Sequence, residues 1–181
     1  MAIEIVDYDP RWPAQFDDIA ARLASTFGDR ALRIDHIGST SVPGLAAKPI
    51  IDIQVTVRRF EGVTEALLAA GLEMSFTRDH RPPGSRVPDE ELEKRLASTR
   101  DPIPANVHVR VNGNFNQRYA LLFRDYLRAN PAAAETYAQV KRSLADIVGD
   151  YDAYYAIKDP VCDLIMAAAE LWAADTGWRG Q

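Results

Sequence analysis

Three stretches of this 181-residue chain hold side chains whose types and spacing could do chemistry. The first is His36-Ile37-Gly38-Ser39-Thr40-Ser41-Val42-Pro43-Gly44-Leu45. Gly38 lets a ligand approach the backbone. Amide N–H groups and the hydroxyls of Ser39, Thr40 and Ser41 supply donors for anionic oxygens. Such a segment makes either a phosphate cradle or a plain turn. It lacks the Gly-Lys-Ser/Thr of a P-loop and the G-x-G-x-x-G dinucleotide fingerprint. The second stretch is the apolar run Ile50–Val57, interrupted by Asp52. A carboxylate there faces a cleft, holds a metal ion or is buried against a partner, because an unpaired one costs several kcal/mol. The third is Asn106-Val107-His108-Val109-Arg110-Val111. Period-two alternation puts His108 and Arg110 on one face and the valines on the other. An imidazole beside a guanidinium suits an anionic ligand, since Arg grips phosphate with two parallel bonds. A half-exposed sheet face gives the same pattern without function.

Weaker signals lie on helices. Arg118, Arg124, Arg128, Lys141 and Arg142 form a basic set after the His108 strand, and solvated helix faces explain most of it. Arg118, Tyr119 and Arg124 could reach a phosphate. Lys158 follows Tyr154 by four residues, so the two share a helix face. Cys162 falls with Ile165, Met166 and Ala169 on an apolar stripe and reads as a small buried hydrophobe. Trp12, Trp172 and Trp178 read as packing residues. His36, Asp52 and His108 have the chemistry of a transition-metal site, although their spacing is not diagnostic.

The elements that must position these residues follow from periodicity. Phe16, Ile19, Ala20, Leu23 and Phe27 recur at helical spacing, and Gly28 stops the helix. Residues 31–37, 50–57, 73–77 and 106–111 read as strands, with a helix around Val63–Leu72. Segments 115–129, 132–148 and 152–174 read as helices, broken by Asn130-Pro131 and Gly149. Residues 78–105 carry five of the eleven prolines, six basic and six acidic side chains. They read as a solvated excursion with a short helix at Pro88–Leu96, or as a lid over a site. Strands interleaved with helices, then a helical tail, predict one mixed α/β domain over residues 1–181.

Composition limits the partners. The formal charge is −5, from 21 Lys and Arg against 26 Asp and Glu. An acidic chain argues against a nucleic-acid duplex or a membrane surface as partner. The acidity sits at the two ends, while residues 30–150 are mildly basic. That distribution suits a small anionic ligand. The single cysteine excludes an intramolecular disulfide and fits a reducing compartment. Without a secretory h-region or an apolar run of about 20 residues, the expected location is the cytoplasm.

Taken together these segments resemble the GrpB family, also labelled UPF0157. The resemblance spans nearly the whole chain. It begins at Val6-Asp7-Tyr8-Asp9-Pro10-Arg11-Trp12-Pro13 and centres on the long motif from His36 to Ile53, which includes Lys48. It continues through Asn106-Val107-His108-Val109 and Leu122–Arg128, and closes at Tyr154 or Tyr155 with Lys158. The resemblance implies a nucleotidyltransferase-like core: a small mixed sheet with flanking helices and a helical C-terminal segment. Such enzymes share a Gly-Ser pair followed, nine to thirteen residues later, by an acidic-apolar-acidic triplet. Here twelve residues separate Ser39 from Asp52. By that resemblance Ser39 binds a triphosphate and Asp52 a divalent ion, Mg²⁺ or Mn²⁺, for two-metal nucleotidyl transfer. The wider ligand set is then His36, Gly38, Ser39, Thr40, Ser41, Lys48, Arg110, Arg118 and Lys158, with Asp52 and His108 as catalytic pair.

The chain departs from the pattern at the next step. Gln54 stands where the second acid belongs, and His108 and Arg110 stand where a third is expected. Asp35 is the nearest substitute. A lone carboxylate holds Mg²⁺ weakly, because hard ions need several oxygen ligands. Two readings follow: a nucleotidyltransferase with an unknown acceptor, or a binding module that keeps the pocket without metal chemistry. GrpB-like domains also occur joined to dephospho-CoA kinases, which implies a nucleotide- or coenzyme-A-related role.

Overall fold

A computed structural model describes residues 3–180, with Phe76 by its backbone alone. Helix α1, Trp12–Phe27, starts at a proline-favoured first turn and buries Trp12, Ile19, Leu23 and Phe27. Strands β1 (Ala31–Ile37) and β2 (Ile51–Val57) follow, then helix α2 (Val63–Ala69). Strands β3 (Glu73–Arg78), β4 (Glu93–Thr99) and β5 (Ala105–Val111) complete one sheet. Helices α3 (Phe115–Ala129), α4 (Pro131–Ile147) and α5 (Tyr151–Thr176) form the tail. This is the expected mixed sheet with flanking helices and a helical C-terminal segment. Among the described residues, no helix is long and apolar enough to cross a membrane.

The sheet order is β1-β2-β5-β4-β3. β2 and β5 run parallel at the centre, and the other neighbours are antiparallel. Register decides which side chains meet. Ile37 pairs with Asp52 and Asp52 with Asn106; Asp35 pairs with Gln54 and Gln54 with His108; Thr56 pairs with Arg110. Partners in register share a face, so these residues form one polar face. The intervening Ile53, Val55, Val107 and Val109 form the other, packed on α1 and α2 in the main core. Helices α3, α4 and α5 stand over the polar face. They are held together by Leu122 against Met166 and Ala169, and by Tyr137 against Cys162. Trp12 is buried in the main core, while Trp172 and Trp178 pack around the α3–α5 contact.

One element differs from its sequence reading. Residues 78–105 are not a solvated excursion with a helix. They contain β4, which pairs with β3 on one edge and β5 on the other. Only a single 3₁₀ turn forms, at Asp89–Glu91. Glu93-Lys94-Arg95 has little intrinsic strand preference, and pairing on both sides overrides it.

Candidate functional site

Between the polar sheet face and the three C-terminal helices lies a cleft of about 930 Å³. Its walls hold seven lysines and arginines against three aspartates. In a chain of charge −5 that is a local reversal of sign, as the charge distribution predicts.

The floor is Asp52. Its Oδ1 accepts from Asn106 Nδ2 at 3.1 Å and lies 3.6 Å from His108 Nε2. Its side chain keeps 32% of its surface exposed to the cleft. Burial alone would raise the Asp52 pKa, but the nearby His108, the Asn106 hydrogen bond and the Lys158 charge together hold it below the usual carboxylate value. Burial draws the His108 imidazole down to about 4, so the ring is neutral at pH 7. With Nε2 turned toward Asp52 at 3.6 Å, the ring's Nδ1 is left buried without a protein partner.

Gly38 places the phosphate-type turn directly over this carboxylate. Its φ is 68°, and an added Cβ would lie 2.5 Å from Asp52 Oδ2. Only glycine fits both demands. The turn is tied down: Ser41 Oγ donates to the Gly38 carbonyl at 2.6 Å, and Arg128 donates to the Ser41 carbonyl at 2.7 and 3.0 Å. Ser39 faces the cleft, and its hydroxyl meets Lys141 Nζ at 2.8 Å. The ammonium of Lys48 sits 4.2–4.5 Å from three ring centres, those of Tyr151, Tyr154 and Tyr155. Burial, then the neighbouring Lys158, lowers the Lys48 pKa to about 8. Lys158 lines the same wall.

Gln54 is fully buried, and both ends of its amide are used. Its oxygen accepts from Arg110 Nη1 at 2.8 Å, and its nitrogen donates to the Gln117 carbonyl at 3.2 Å. Arg110 also grips Asp79 with two bonds, at 2.9 and 3.2 Å. Asp79 takes further bonds from Lys94 at 2.5 Å and Asn116 at 3.1 Å. Burial works against the Asp79 charge, but the two cations outweigh it and hold the carboxyl well below its ordinary range. One residue further, His80 Nε2 meets Asp163 of α5 at 3.0 Å, and Tyr119 donates to the same carboxylate at 3.2 Å. The segment after β3 thus touches the cleft's far wall.

The structure therefore brings Asp52, His108, Gly38, Ser39, Thr40, Lys48, Arg110 and Lys158 to one cleft. It does not bring in His36, Ser41 or Arg118. His36 pairs in register with Ile53, on the apolar face, where it stacks on Phe16 at 4.8 Å and meets Thr40 Oγ1 at 2.9 Å. A His36–Asp52–His108 metal triad is excluded, because His36 and Asp52 point to opposite sides of the sheet. Ser41 turns inward to the Gly38 carbonyl, and exposed Arg118 pairs with Glu170 of α5. Asp35 shares the polar face but is held by Arg33 and Arg124. Asp79 and Lys141 belong to the site yet carry no strong sequence signal. Asp79 hides in a segment whose strand is not legible, and Lys141 sits in a helix whose basic residues read as solvated.

Whether a divalent ion suits this cleft depends on its donors. The second position of the acidic triplet is an amide whose oxygen is committed to Arg110, and Asp79 is neutralised by two cations. Among the described residues, no group of three His, Cys, Asp or Glu side chains is placed to hold a metal ion. The donor set does not fit a two-ion centre.

Comparison with known proteins gives the lineage. The GrpB protein family model matches residues 2–168. A dephospho-CoA kinase of Mycolicibacterium paratuberculosis is 42% identical over 98% of this chain but only 48% of its own length. The chain thus spans about half the length of such curated relatives. A UPF0157 protein of Halalkalibacterium halodurans is 41% identical over 80% of this chain and 70% of its own. The crystal structure of conserved protein GrpB from Enterococcus faecalis matches with a TM-score of 0.76 and 32% identity, over 93% of this chain and 99% of that one. The chain belongs to the GrpB family.

Proposed function

We propose that the protein binds a nucleotide or a similar phosphate-bearing small molecule in the cleft, without metal-dependent transfer. The observation that carries this reading is the reversal of charge: seven lysines and arginines, six of them besides the deeply buried Lys141, line one cleft of an acidic chain. Lys48 and Lys158 grip the anion beside the Gly38–Thr40 turn. The aromatic rings of Tyr151 and Tyr155, both part-exposed, offer an apolar surface for the rest of the ligand. The Gly38-Ser39 turn over Asp52 resembles the phosphate-and-metal corner of nucleotidyltransferases. The amide at Gln54 and the Asp79–Arg110 pair speak for a site that keeps that corner's shape and not its two ions. The name dephospho-CoA kinase borne by a longer relative adds coenzyme-A-type compounds to the ligands to be tried. We place this activity in the cytoplasm, in keeping with the single thiol at Cys162.

The second reading is nucleotidyl transfer, favoured by the part-exposed, ionised Asp52, which would be the ion's one carboxylate ligand. A melting-temperature panel separates the two, using nucleotides and coenzyme A precursors with and without Mg²⁺ or Mn²⁺. A saturating ligand should raise Tm by roughly 5–10 °C without metal, and Lys158→Ala should abolish the shift. A shift that requires metal and vanishes in Asp52→Ala supports transfer instead. No shift with any phosphate compound sinks both.

A further inference from the structure

Lys141 of α4 has a chemical problem that phosphate binding does not explain. The residue is 2% exposed. Its Nζ meets the Ala46 carbonyl, the Ser39 hydroxyl at 2.8 Å and the face of the Tyr137 ring at 4.6 Å. None of these partners is a carboxylate. An ammonium buried without a counter-ion costs several kcal/mol, so such a lysine gives up its proton. Burial, then repulsion from Lys158, draws its pKa down to about 7. The neutral amine has two N–H donors and one lone pair. With one donor on the Ala46 carbonyl, the lone pair is available to the Ser39 O–H. Ser39 itself stands on a turn fixed by Ser41 and Arg128, with its side chain on the cleft wall.

We propose that Ser39 and Lys141 form a nucleophile–base dyad acting on an ester or thioester carbonyl presented in the cleft. Ser-Lys pairs are a recognised variant of serine catalysis, and such acyl chemistry needs no metal ion. As Ser39 Oγ bonds to the carbonyl carbon, Lys141 Nζ takes the hydroxyl proton. The carbon–oxygen or carbon–sulfur bond to the leaving group then breaks, and Lys141 returns the proton to the departing alkoxide or thiolate. Water then attacks the acyl-serine carbonyl, losing its proton to Lys141; the carbon–Oγ bond breaks, Lys141 returns the proton to Ser39 Oγ, and the acid is released. That the acyl group travels on a phosphate-bearing carrier rests on the reading above; the dyad itself does not.

The test uses a neutral, serine-directed fluorophosphonate probe on the full chain, read by intact mass and peptide mapping. One adduct is expected, on Ser39, and none in Ser39→Ala. Lys141→Met should slow labelling by roughly 100-fold or more, the usual worth of a general base. The wild-type rate should climb with pH and level off above about 7, where Lys141 is deprotonated. Lys141→Met should still melt cooperatively, within a few degrees of the wild type, since loss of a buried amine offsets the unpairing of the Ala46 carbonyl. No Ser39 adduct, unchanged labelling in Lys141→Met, or a rate that keeps rising tenfold per pH unit would each overturn the dyad. Nucleotide melting shifts on the same samples fail or succeed independently, because the probe carries no phosphate anion.

Discussion

One sheet, built by one alternation, presents two faces with opposite duties. On the first, Ile53, Val55, Val57, Val107 and Val109 are each 0% exposed and packed against α1 and α2. On the second, one residue along the same strands, stand Asp52, Gln54, Thr56, Asn106, His108 and Arg110. Burial on the first face removes apolar area from water, the main favourable term in folding. Burial on the second costs free energy unless each polar group finds a partner. The partners there are mostly one another: Gln54 with Arg110, Arg110 with Asp79, Asp52 with Asn106. The comparison separates stability, carried by the closed face, from the ligand recognition proposed for the open one.

The largest effect expected from breaking this division is on the closed face. Phe27 is 0% exposed in the main core. Phe27→Ala should cost about 3–5 kcal/mol in urea denaturation, from lost transfer energy plus the cavity left behind. Lys48→Ala on the open face should cost under ~1 kcal/mol while removing the ligand's melting shift. Similar stability losses from the two variants would mean that the faces do not divide the labour.

A smaller effect compares one histidine from each face. His36 on the closed face and His108 on the open face both have pKa values lowered by burial to about 4, from 6.5. In the unfolded chain each takes a proton near pH 6.5, whereas in the folded chain each resists until about pH 4. The unfolded state therefore binds more protons in that window, so stability falls as pH drops from 6.5 towards 4 and is flat above it. By pH 5 each histidine should account for roughly 2 kcal/mol of lost stability. His108→Gln should remove about half of the decline between pH 7 and pH 5, measured by urea denaturation. A decline that is the same in the variant would show that the open face hydrates His108 more than its geometry implies.

Those two histidines also show how far the sequence carries. Alternation in Asn106–Val111 puts His108 and Arg110 together, and the same arithmetic separates His36 from Asp35. What alternation within a strand cannot supply is the register between strands. Only the pairing of Ile37 with Asp52 shows that His36 faces away from the site. The helical tail is legible because its apolar spacing is long and regular. β4 is not legible, because its charged residues become a strand through pairing on both edges. Losing β4 conceals Lys94, and with it the cluster that neutralises Asp79. Lys141 is hidden for a different reason: a lysine on an amphipathic helix usually reaches water. Here α4 instead turns it under the Gly38–Ser41 turn, a tertiary arrangement no local pattern encodes.

The smallest expected effect tests where the open face ends. Arg118 follows the His108 strand closely in sequence and, by spacing, could reach a phosphate. In the structure it forms a two-pronged pair with Glu170 at 2.5 and 2.9 Å, with both side chains nearly half exposed. Its guanidinium also lies 5.4 Å from the Trp178 ring. Exposed pairs of this kind contribute about 0–1 kcal/mol, because water screens the attraction and ordering two long side chains costs entropy. Arg118→Ala should therefore change stability by less than ~1 kcal/mol and leave the ligand's melting shift intact. Loss of that shift in a folded Arg118→Ala protein would move the cleft's boundary outward past Tyr119. The cationic wall would then include the outer surface of α3, and ligand recognition would no longer be confined to the face bounded by the sheet and its three helices.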